Sequence, residues 1–145
     1  MKSVDQLIKL FHDVGLRITP QRRVIFEFLA AKDDHPTADE IYQHVVSVLP
    51  DVSRMTVYNT LHELADLGEI RAVGNLSDGG TRYDTNSGDH HHLFCIQCHA
   101  LVDVNVDSMD LELSPEEAAG YKIVRNQVTF YGICPDCRAS AQRNK

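Results

Sequence analysis

The chain has 145 residues, which is enough for one domain or for two small ones. Its 14 basic and 21 acidic side chains give a formal net charge of −7, which argues against nucleic-acid binding through a broad polybasic surface but leaves sequence-specific binding open. No stretch approaches the roughly 20 apolar residues of a membrane span and the first residues lack a secretion signal, so we expect a soluble cytoplasmic protein.

Three amphipathic helices are predicted in the first third of the chain. Gly15 ends the first and Pro50 stops the third, and apolar residues recur in all three at the spacing of one helix face. Each start carries a capping signal, namely Ser3 with Gln6, Thr19 with Pro20, and Thr37 with Glu40.

A fourth helix and a hairpin follow. Ser53 can cap the helix and Gly68 closes it, while one helix face is lined by Val57, Leu61 and Leu64. The segments Ile70–Val73 and Thr81–Asp84 flank a turn from Gly74 to Gly80, which is a strand, turn and strand pattern. Helices followed by such a hairpin are typical of a winged helix-turn-helix domain, which we assign to residues 1–84.

The polar residues 85–88 are the predicted hinge, because they are short and free of apolar anchors. Residues 89–145 are assigned to a small C-terminal α/β domain, which makes the whole chain α+β. Here Val102, Val104 and Val106 alternate at the period of a strand, Ser114 begins a short helix, and Tyr121–Tyr131 is predicted as further strand.

Two C-x-x-C motifs carry the strongest chemical signal, Cys95-Ile96-Gln97-Cys98 and Cys134-Pro135-Asp136-Cys137. Four thiolates suit tetrahedral Zn²⁺ with no open coordination position. A redox pair is the alternative, but two motifs in a chain without a thioredoxin-like βαβ pattern favour structural zinc. Such a site contributes to folding and does no catalysis.

A second cluster, Asp89-His90-His91-His92, lies just before the first C-x-x-C motif, and Asp84 and Asp103 lie close to it in sequence. In an extended segment His90 and His92 project on the same side, so both can meet one ion. Imidazole with carboxylate suits Fe²⁺, Mn²⁺ or Zn²⁺, and two carboxylates shift the preference toward iron and manganese. A solvated polar loop is the alternative. His35, taken alone, is interpreted as a surface loop residue.

The fourth helix is predicted to be the reading helix, which contacts the bases of double-stranded DNA. The alternative is that its exposed face contacts only solvent. Arg17 and Arg22 near the second helix are candidates for phosphate contacts, and so is Arg54. The candidates for contacts through the reading helix itself are Thr56, Tyr58, Asn59 and His62.

Taken together, these motifs resemble the ferric uptake regulator family along nearly the whole chain. The resemblance is carried by the segments Gly15–Arg22, His35–Tyr42, Thr56–Leu61 and Arg82–Asp84, by the histidine cluster and by both cysteine pairs. Within the family the chain is most similar to the peroxide-responsive repressors. Position 103 is Asp where iron-uptake regulators usually have Glu, and Asn59 stands where they usually have Arg.

The resemblance implies a homodimeric repressor that binds an inverted-repeat operator when a regulatory Fe²⁺ or Mn²⁺ closes it. The implied ligands are His35, Asp84, His90, His92 and Asp103. Peroxide reacting at bound Fe²⁺ would oxidise His35 or His90 and release the DNA. The chain departs from the family at His91, to which we assign no role, and at Asn126, which stands where some members have a further histidine ligand.

Three other functions stay open from the sequence. One is an iron- or manganese-responsive uptake repressor of the same family, which would use the same ligands. Another is a small non-haem metalloenzyme, with open coordination positions on a site of two histidines and a carboxylate. The third is a purely structural adaptor stabilised by zinc, which would bind neither a second metal nor DNA. Nothing in the sequence resembles a substrate pocket, so we expect a protein that is not an enzyme.

Overall fold

The structure is a computed structural model that describes residues 1–32, 34–73, 80–86, 90–104 and 112–143. The chain divides into two compact units, Met1–Ser87 and Gly88–Lys145, which are called here the N-terminal and C-terminal units. Among the helices of the described residues, none combines the length and apolar character that a membrane span requires.

Four helices build the N-terminal unit, and the local capping signals set where they begin. They are α1 (Val4–Asp13), α2 (Pro20–Ala30), α3 (Ala38–Val48) and α4 (Arg54–Asp66). The predicted caps are confirmed, because the side chains of Ser3, Thr19, Thr37 and Ser53 each accept a backbone N–H of the first turn. Gly15 and Gly68 follow α1 and α4 with φ of +81° and +75°, the left-handed conformation that ends a helix.

One apolar core joins the four helices. Phe11 and Phe26 meet edge to face with their ring centroids 4.9 Å apart. The reading-helix residues predicted to face inward are fully buried in this core, namely Val57, Leu61 and Leu64. The opposite face of α4 is therefore left for other contacts.

The predicted hairpin strands are present as β1 (Arg71–Val73) and β2 (Arg82–Asp84), which pair antiparallel with Arg71 opposite Asp84. The turn between them lies outside the described residues except for Gly80. The other side of β2 meets the segment before α3, where the Tyr83 N–H donates to the Pro36 carbonyl over 2.9 Å. Arg82 adds a hydrogen bond to the His35 carbonyl.

The C-terminal unit has a three-stranded sheet in the order β4–β3–β5. Its elements are β3 (His91–Cys95), β4 (Leu101–Val104), α5 (Pro115–Ala118), β5 (Thr129–Gly132) and α6 (Pro135–Arg143). The strands β3 and β4 are antiparallel and β3 and β5 are parallel. Ser114 caps α5 as predicted. Val106 and residues 87–89 of the predicted hinge and histidine cluster lie outside the described residues.

The strand predicted over Tyr121–Tyr131 is wrong for most of its length. Only Thr129–Gly132 forms a strand, by pairing with β3, and residues 121–128 form none. Tyr121 and Val124 are 78% and 83% exposed. Aromatic and β-branched residues favour strands only where a neighbouring strand and a packed face are available, and that depends on tertiary context.

Candidate metal centres and nucleic-acid interface

The four cysteines come together in the C-terminal unit. Cys95 ends β3 and Cys98 lies in the turn that follows, while Cys134 and Cys137 lie at the start of α6. The four sulfur atoms all lie within 4.8 Å of one another. The Sγ atoms of Cys95 and Cys137 are 3.8 Å apart and those of Cys98 and Cys134 are 3.7 Å apart.

These sulfur separations fit a tetrahedral zinc site. Zn–S bonds of about 2.3 Å put the corners of a tetrahedron about 3.8 Å apart. A disulfide would require about 2.05 Å, so neither pair is bonded. The cluster is a closed set of four thiol donors, and it fits the structural zinc site of the predicted fold class.

The shifted pKa values of three of the thiols are compatible with a bound cation. Hydrogen bonds from the backbone N–H groups of Cys98 and Cys134 lower the pKa of Cys95 to about 6. The neighbouring thiol of Cys134 raises the pKa of Cys137 to about 12, and the pKa of Cys98 is also raised. The Cys95 thiolate therefore forms easily, while Cys137 resists ionisation because its hydrogen bond with the neighbouring thiol favours the neutral form. A bound divalent ion removes that resistance.

A pair of candidate ligands is buried in the N-terminal unit. His35 precedes α3 and Asp84 ends β2, and their side chains are 4% and 3% exposed, with His35 Nε2 3.6 Å from Asp84 Oδ2. The pairing of β2 with the segment before α3 brings them together. His35 is thus a buried residue, and the interpretation of it as a surface loop residue is wrong.

Three candidate ligands meet on the β3–β4 pair of the C-terminal unit. The register sets His92 opposite Asp103, and His90 lies two residues before His92 on the same face. Asp103 Oδ1 lies 3.4 Å from His90 Nε2 and 3.3 Å from His92 Nε2. Both imidazoles are buried, and Asp103 is about one third exposed. The sequence-based expectation that both histidines share one side agrees with this geometry.

His91, to which the sequence assigned no role, has a structural one. Its side chain is 9% exposed and projects from the other face of β3. Its Nδ1 accepts the backbone N–H of Val128 over 3.0 Å. This hydrogen bond, and one from the His92 N–H to the Val128 carbonyl, hold the chain where it enters β5. No sequence signal points to a partner 37 residues away.

A groove of about 600 Å³ runs between α4 and the start of α2. The groove is lined by five of the predicted DNA-contacting residues, namely Arg17, Arg22, Thr56, Asn59 and His62. His62 and Tyr58 also line a second depression of about 400 Å³, which includes Gly80 and Thr81 next to β2. The structure therefore brings six of the seven candidates to surfaces that flank α4.

Two of the candidate arginines have partners within the N-terminal unit. Arg54 donates to Asp39 over 2.8 Å and lies over the Tyr42 ring, and the hydrogen bond to Asp39 raises its pKa. Arg22 forms a two-bond ion pair with Glu63, an acidic groove residue that sequence reasoning did not single out. The predicted phosphate contacts of both arginines stay predictions.

An apolar face is exposed on the sheet of the C-terminal unit. Leu93, Val102 and Phe130 occupy neighbouring register positions on β3, β4 and β5, and are 46%, 52% and 39% exposed. A depression of about 280 Å³ at this face is lined mainly by Leu93, Val102, Ile133 and Pro135. Contiguous exposed apolar side chains of this kind mark interaction surfaces.

Comparison with known proteins gives a consistent result. A sequence model described as "Ferric uptake regulator family" matches residues 13–131. The peroxide-responsive repressor PerR of Staphylococcus saprophyticus is 36% identical over 137 residues, which cover 94% of this chain and 92% of that protein.

Two solved structures resemble the fold. The Streptococcus pyogenes PerR structure has a TM-score of 0.55 and 33% identity, and covers 94% of each chain. The Helicobacter pylori ferric uptake regulator Fur has a TM-score of 0.72, covering 95% of this chain and 97% of its own. At 19% identity, the latter likeness concerns the fold alone.

Proposed function

This chain belongs to the ferric uptake regulator family, and we propose that it is a metal-responsive transcription repressor that binds operator DNA as a homodimer. The observation that carries the proposal is the clustering of the predicted DNA contacts around α4, on the side away from its buried face. Its repressor character rests on likeness to a protein named a peroxide-responsive repressor. Operator binding implies action in the cytoplasm, where bacterial DNA lies.

For DNA reading, α4 enters the major groove with its exposed side chains toward the bases. Asn59 can form the two-bond contact with adenine, while Thr56 and Tyr58 offer a methyl group and a ring to thymine methyls. Arg17 and Arg54 reach phosphates and fix the position of the helix along the duplex. His62 borders both depressions beside α4 and can reach a base edge or a phosphate.

The homodimer is proposed to form through the exposed apolar face of Leu93, Val102 and Phe130. A two-fold dimer presents two copies of α4, which match the halves of an inverted-repeat operator. On this proposal residues 1–84 form the DNA-binding domain, residues 85–88 the hinge, and residues 89–145 the dimerisation and metal-binding domain.

The regulatory ion is proposed to take His35 and Asp84 from the N-terminal unit, and His90, His92 and Asp103 from the C-terminal unit. The donor chemistry supports this, because three imidazoles with two carboxylates suit Fe²⁺ or Mn²⁺. Within each unit the donors already lie close together, so little rearrangement is needed to present them. The cysteine cluster, in contrast, is proposed to hold Zn²⁺ permanently at Cys95, Cys98, Cys134 and Cys137.

If His35 and Asp84 held an ion together with the donors of the C-terminal unit, the arrangement of the two units would depend on metal. The bound ion would favour the arrangement that binds DNA by its difference in affinity for the two states. Moving an equilibrium from 1:99 to 99:1 takes about 5.5 kcal/mol of such a difference in affinity. His35 and Asp84 thereby transmit metal occupancy to the unit that carries α4.

The signal is proposed to be peroxide, as in the relatives named PerR. Bound Fe²⁺ supplies the activation of H₂O₂ at the site. In the net change one oxygen atom is inserted at a C–H bond of the His35 or His90 imidazole, and the other oxygen leaves as water. The oxidised ring is a poorer ligand, so the two units uncouple and the operator is released. The protein is consumed by its signal and does not turn over.

The test is DNA binding by anaerobically purified dimer loaded with Fe²⁺ or Mn²⁺, before and after one equivalent of H₂O₂. The probe is a duplex selected from random sequence by the Mn²⁺-loaded protein. We expect peroxide to abolish binding by the iron form alone, with a gain of one oxygen atom on the His35 or His90 peptide by mass spectrometry. A His12→Ala variant is the matched control, because its imidazole is 86% exposed on α1 and outside the proposed ligand set.

Other outcomes separate the alternatives. Binding that follows metal supply and ignores peroxide would identify an iron- or manganese-responsive uptake repressor and overturn the peroxide proposal. Absence of any selected duplex, together with turnover of a substrate by the metal-loaded protein, would favour a small non-haem metalloenzyme.

A further inference from the structure

The groove beside α4 contains an ion pair that the DNA-binding proposal does not use. Arg22 Nη2 donates to both carboxylate oxygens of Glu63, at 2.8 and 2.7 Å. The two side chains are 16% and 27% exposed, so solvent reaches them only in part. Hydrogen bonds between two charged groups at these distances are roughly twice as strong as those between neutral groups.

The remaining contacts of Arg22 also lie within the N-terminal unit. Its Nη1 donates to the Arg17 carbonyl, and its guanidinium lies 5.4 Å from the centroid of the Phe11 ring. The guanidinium is therefore held by a carboxylate, a backbone carbonyl and an aromatic ring. In this arrangement Arg22 offers no free pair of N–H groups to a phosphate.

The position of Arg22 favours an anionic partner. It lies in the first turn of α2, where the helix dipole disfavours a cation. A carboxylate and a phosphate both present two oxygens that match the guanidinium fork. Glu63 and a DNA phosphate are thus alternative partners for the same N–H groups, and Glu63 lies on α4, the helix proposed to enter the major groove.

We propose that Glu63 is a specificity-determining residue that withholds Arg22 from DNA phosphates. Sequence-independent binding rests almost entirely on phosphate contacts, whereas operator binding also rests on base contacts. Occupying one arginine with an internal carboxylate therefore weakens non-operator binding more than operator binding. The inference rests on the proposed DNA-binding function, and it assigns to Arg22 a role other than the phosphate contact predicted from the sequence.

The test compares Glu63→Gln with wild type by fluorescence anisotropy on the selected duplex and on a scrambled duplex of the same composition. We expect the slope of log Kobs against log salt on the scrambled duplex to steepen by about 0.9, one phosphate contact. Between 200 and 50 mM salt the variant then gains about threefold to fourfold more affinity than wild type. The ratio of operator to scrambled affinity falls.

Two control variants distinguish the release of Arg22 from the mere loss of one negative charge as the cause of a steeper salt slope. Asp66→Asn removes the same charge from the same groove without touching the ion pair, and should leave the salt slope at its wild-type value. Arg22→Gln combined with Glu63→Gln has neither partner and should return to the wild-type slope. Equal steepening in Glu63→Gln and Asp66→Asn would overturn the proposal, as would a shallower slope in Arg22→Gln alone.

A measurement on the wild-type protein covers the case in which Glu63→Gln does not fold. Nitrogen-15 NMR of the Arg22 guanidinium should show the same resonances before and after addition of scrambled duplex, and a shift on DNA addition would overturn the inference. Wild-type protein that binds no selected duplex more tightly than the scrambled one would instead refute the proposed DNA-binding function.

Discussion

The two units of the chain differ in how far their apolar side chains are buried. In the N-terminal unit the helices α1 to α4 enclose one core whose largest members have no solvent exposure, among them Phe11, Phe26 and Leu61. In the described part of the C-terminal unit, the buried apolar residues are Phe94, Cys95 and Leu101. Most of the large exposed apolar side chains of the described chain belong to that second unit.

This difference indicates what stabilises each unit. Burial of apolar surface, at about 25 cal/mol per Å², is the main favourable term for the N-terminal unit. A unit as small as the second has too little core for that, and small domains of this kind usually require a metal, a disulfide or a partner subunit. Its four thiols fit the first of these, and its exposed apolar face is the proposed interface for the last.

The largest expected effect is loss of the cysteine cluster. Removing zinc with a chelator, or replacing Cys137 with Ser, should abolish cooperative unfolding of the C-terminal unit and leave that of the N-terminal unit in place. Hydrogen exchange followed by mass spectrometry resolves the two units, and apoprotein refilled with Zn²⁺ is the control. If β3 and β5 remained protected from hydrogen exchange after chelation, the sheet would not depend on the metal.

Truncating a core side chain of the N-terminal unit should destabilise that unit and leave the C-terminal unit unchanged. Leu61→Ala removes a fully buried side chain from α4 and should lower the free energy of unfolding of the N-terminal unit by about 2 to 5 kcal/mol. The zinc content and the protection of the C-terminal sheet should not change. Met55→Ala is the matched control on the same helix, because Met55 is 66% exposed. Similar losses in the two variants, measured by urea titration, would contradict this account of the core.

A charged side chain on the exposed face of the C-terminal sheet should weaken the proposed dimer. Val102→Glu places a carboxylate on this face and should weaken self-association tenfold or more, which corresponds to about 1.4 kcal/mol. Val48→Glu is the control, since Val48 lies on α3 and has the same 52% exposure. Sedimentation equilibrium that gives equal dissociation constants for both variants would assign the dimer interface elsewhere.

The smallest expected effect concerns a contact within the N-terminal unit that depends on pH. Burial alone raises the pKa of Glu69, but hydrogen bonds and charge from Lys2 outweigh it and hold the pKa below its ordinary 4.5. A pKa lower in the folded than in the unfolded state stabilises the fold above about pH 4.5, and this contribution disappears as the pH falls through the folded-state value.

Glu69→Gln should therefore cost about 1 kcal/mol at pH 7, and the difference from wild type should shrink as the pH falls below 4.5. Urea titrations of both proteins at several pH values measure this difference. Glu27→Gln removes an exposed carboxylate from α2 and serves as the reference. A difference that stays constant with pH would exclude the lowered pKa as its cause.

Features that depend on residues close to one another in the chain could be predicted from the amino-acid sequence. The caps Ser3, Thr19, Thr37, Ser53 and Ser114 were predictable, because a cap acts within three residues of itself. The four-cysteine cluster was predictable for a similar reason, since the C-x-x-C spacing already forms half of a tetrahedral site. The alternation of residues along an extended chain was enough to put His90 and His92 on one side.

Contacts between residues distant in sequence could be identified only in the folded chain. Glu63 is 41 positions from Arg22, and Val128 is 37 positions from His91, so neither partner follows from a local pattern. The burial of His35 depends on β2 lying against the segment before α3. Residues 121–128 have the composition of a strand but form none, because a strand also requires a neighbouring backbone with which to pair.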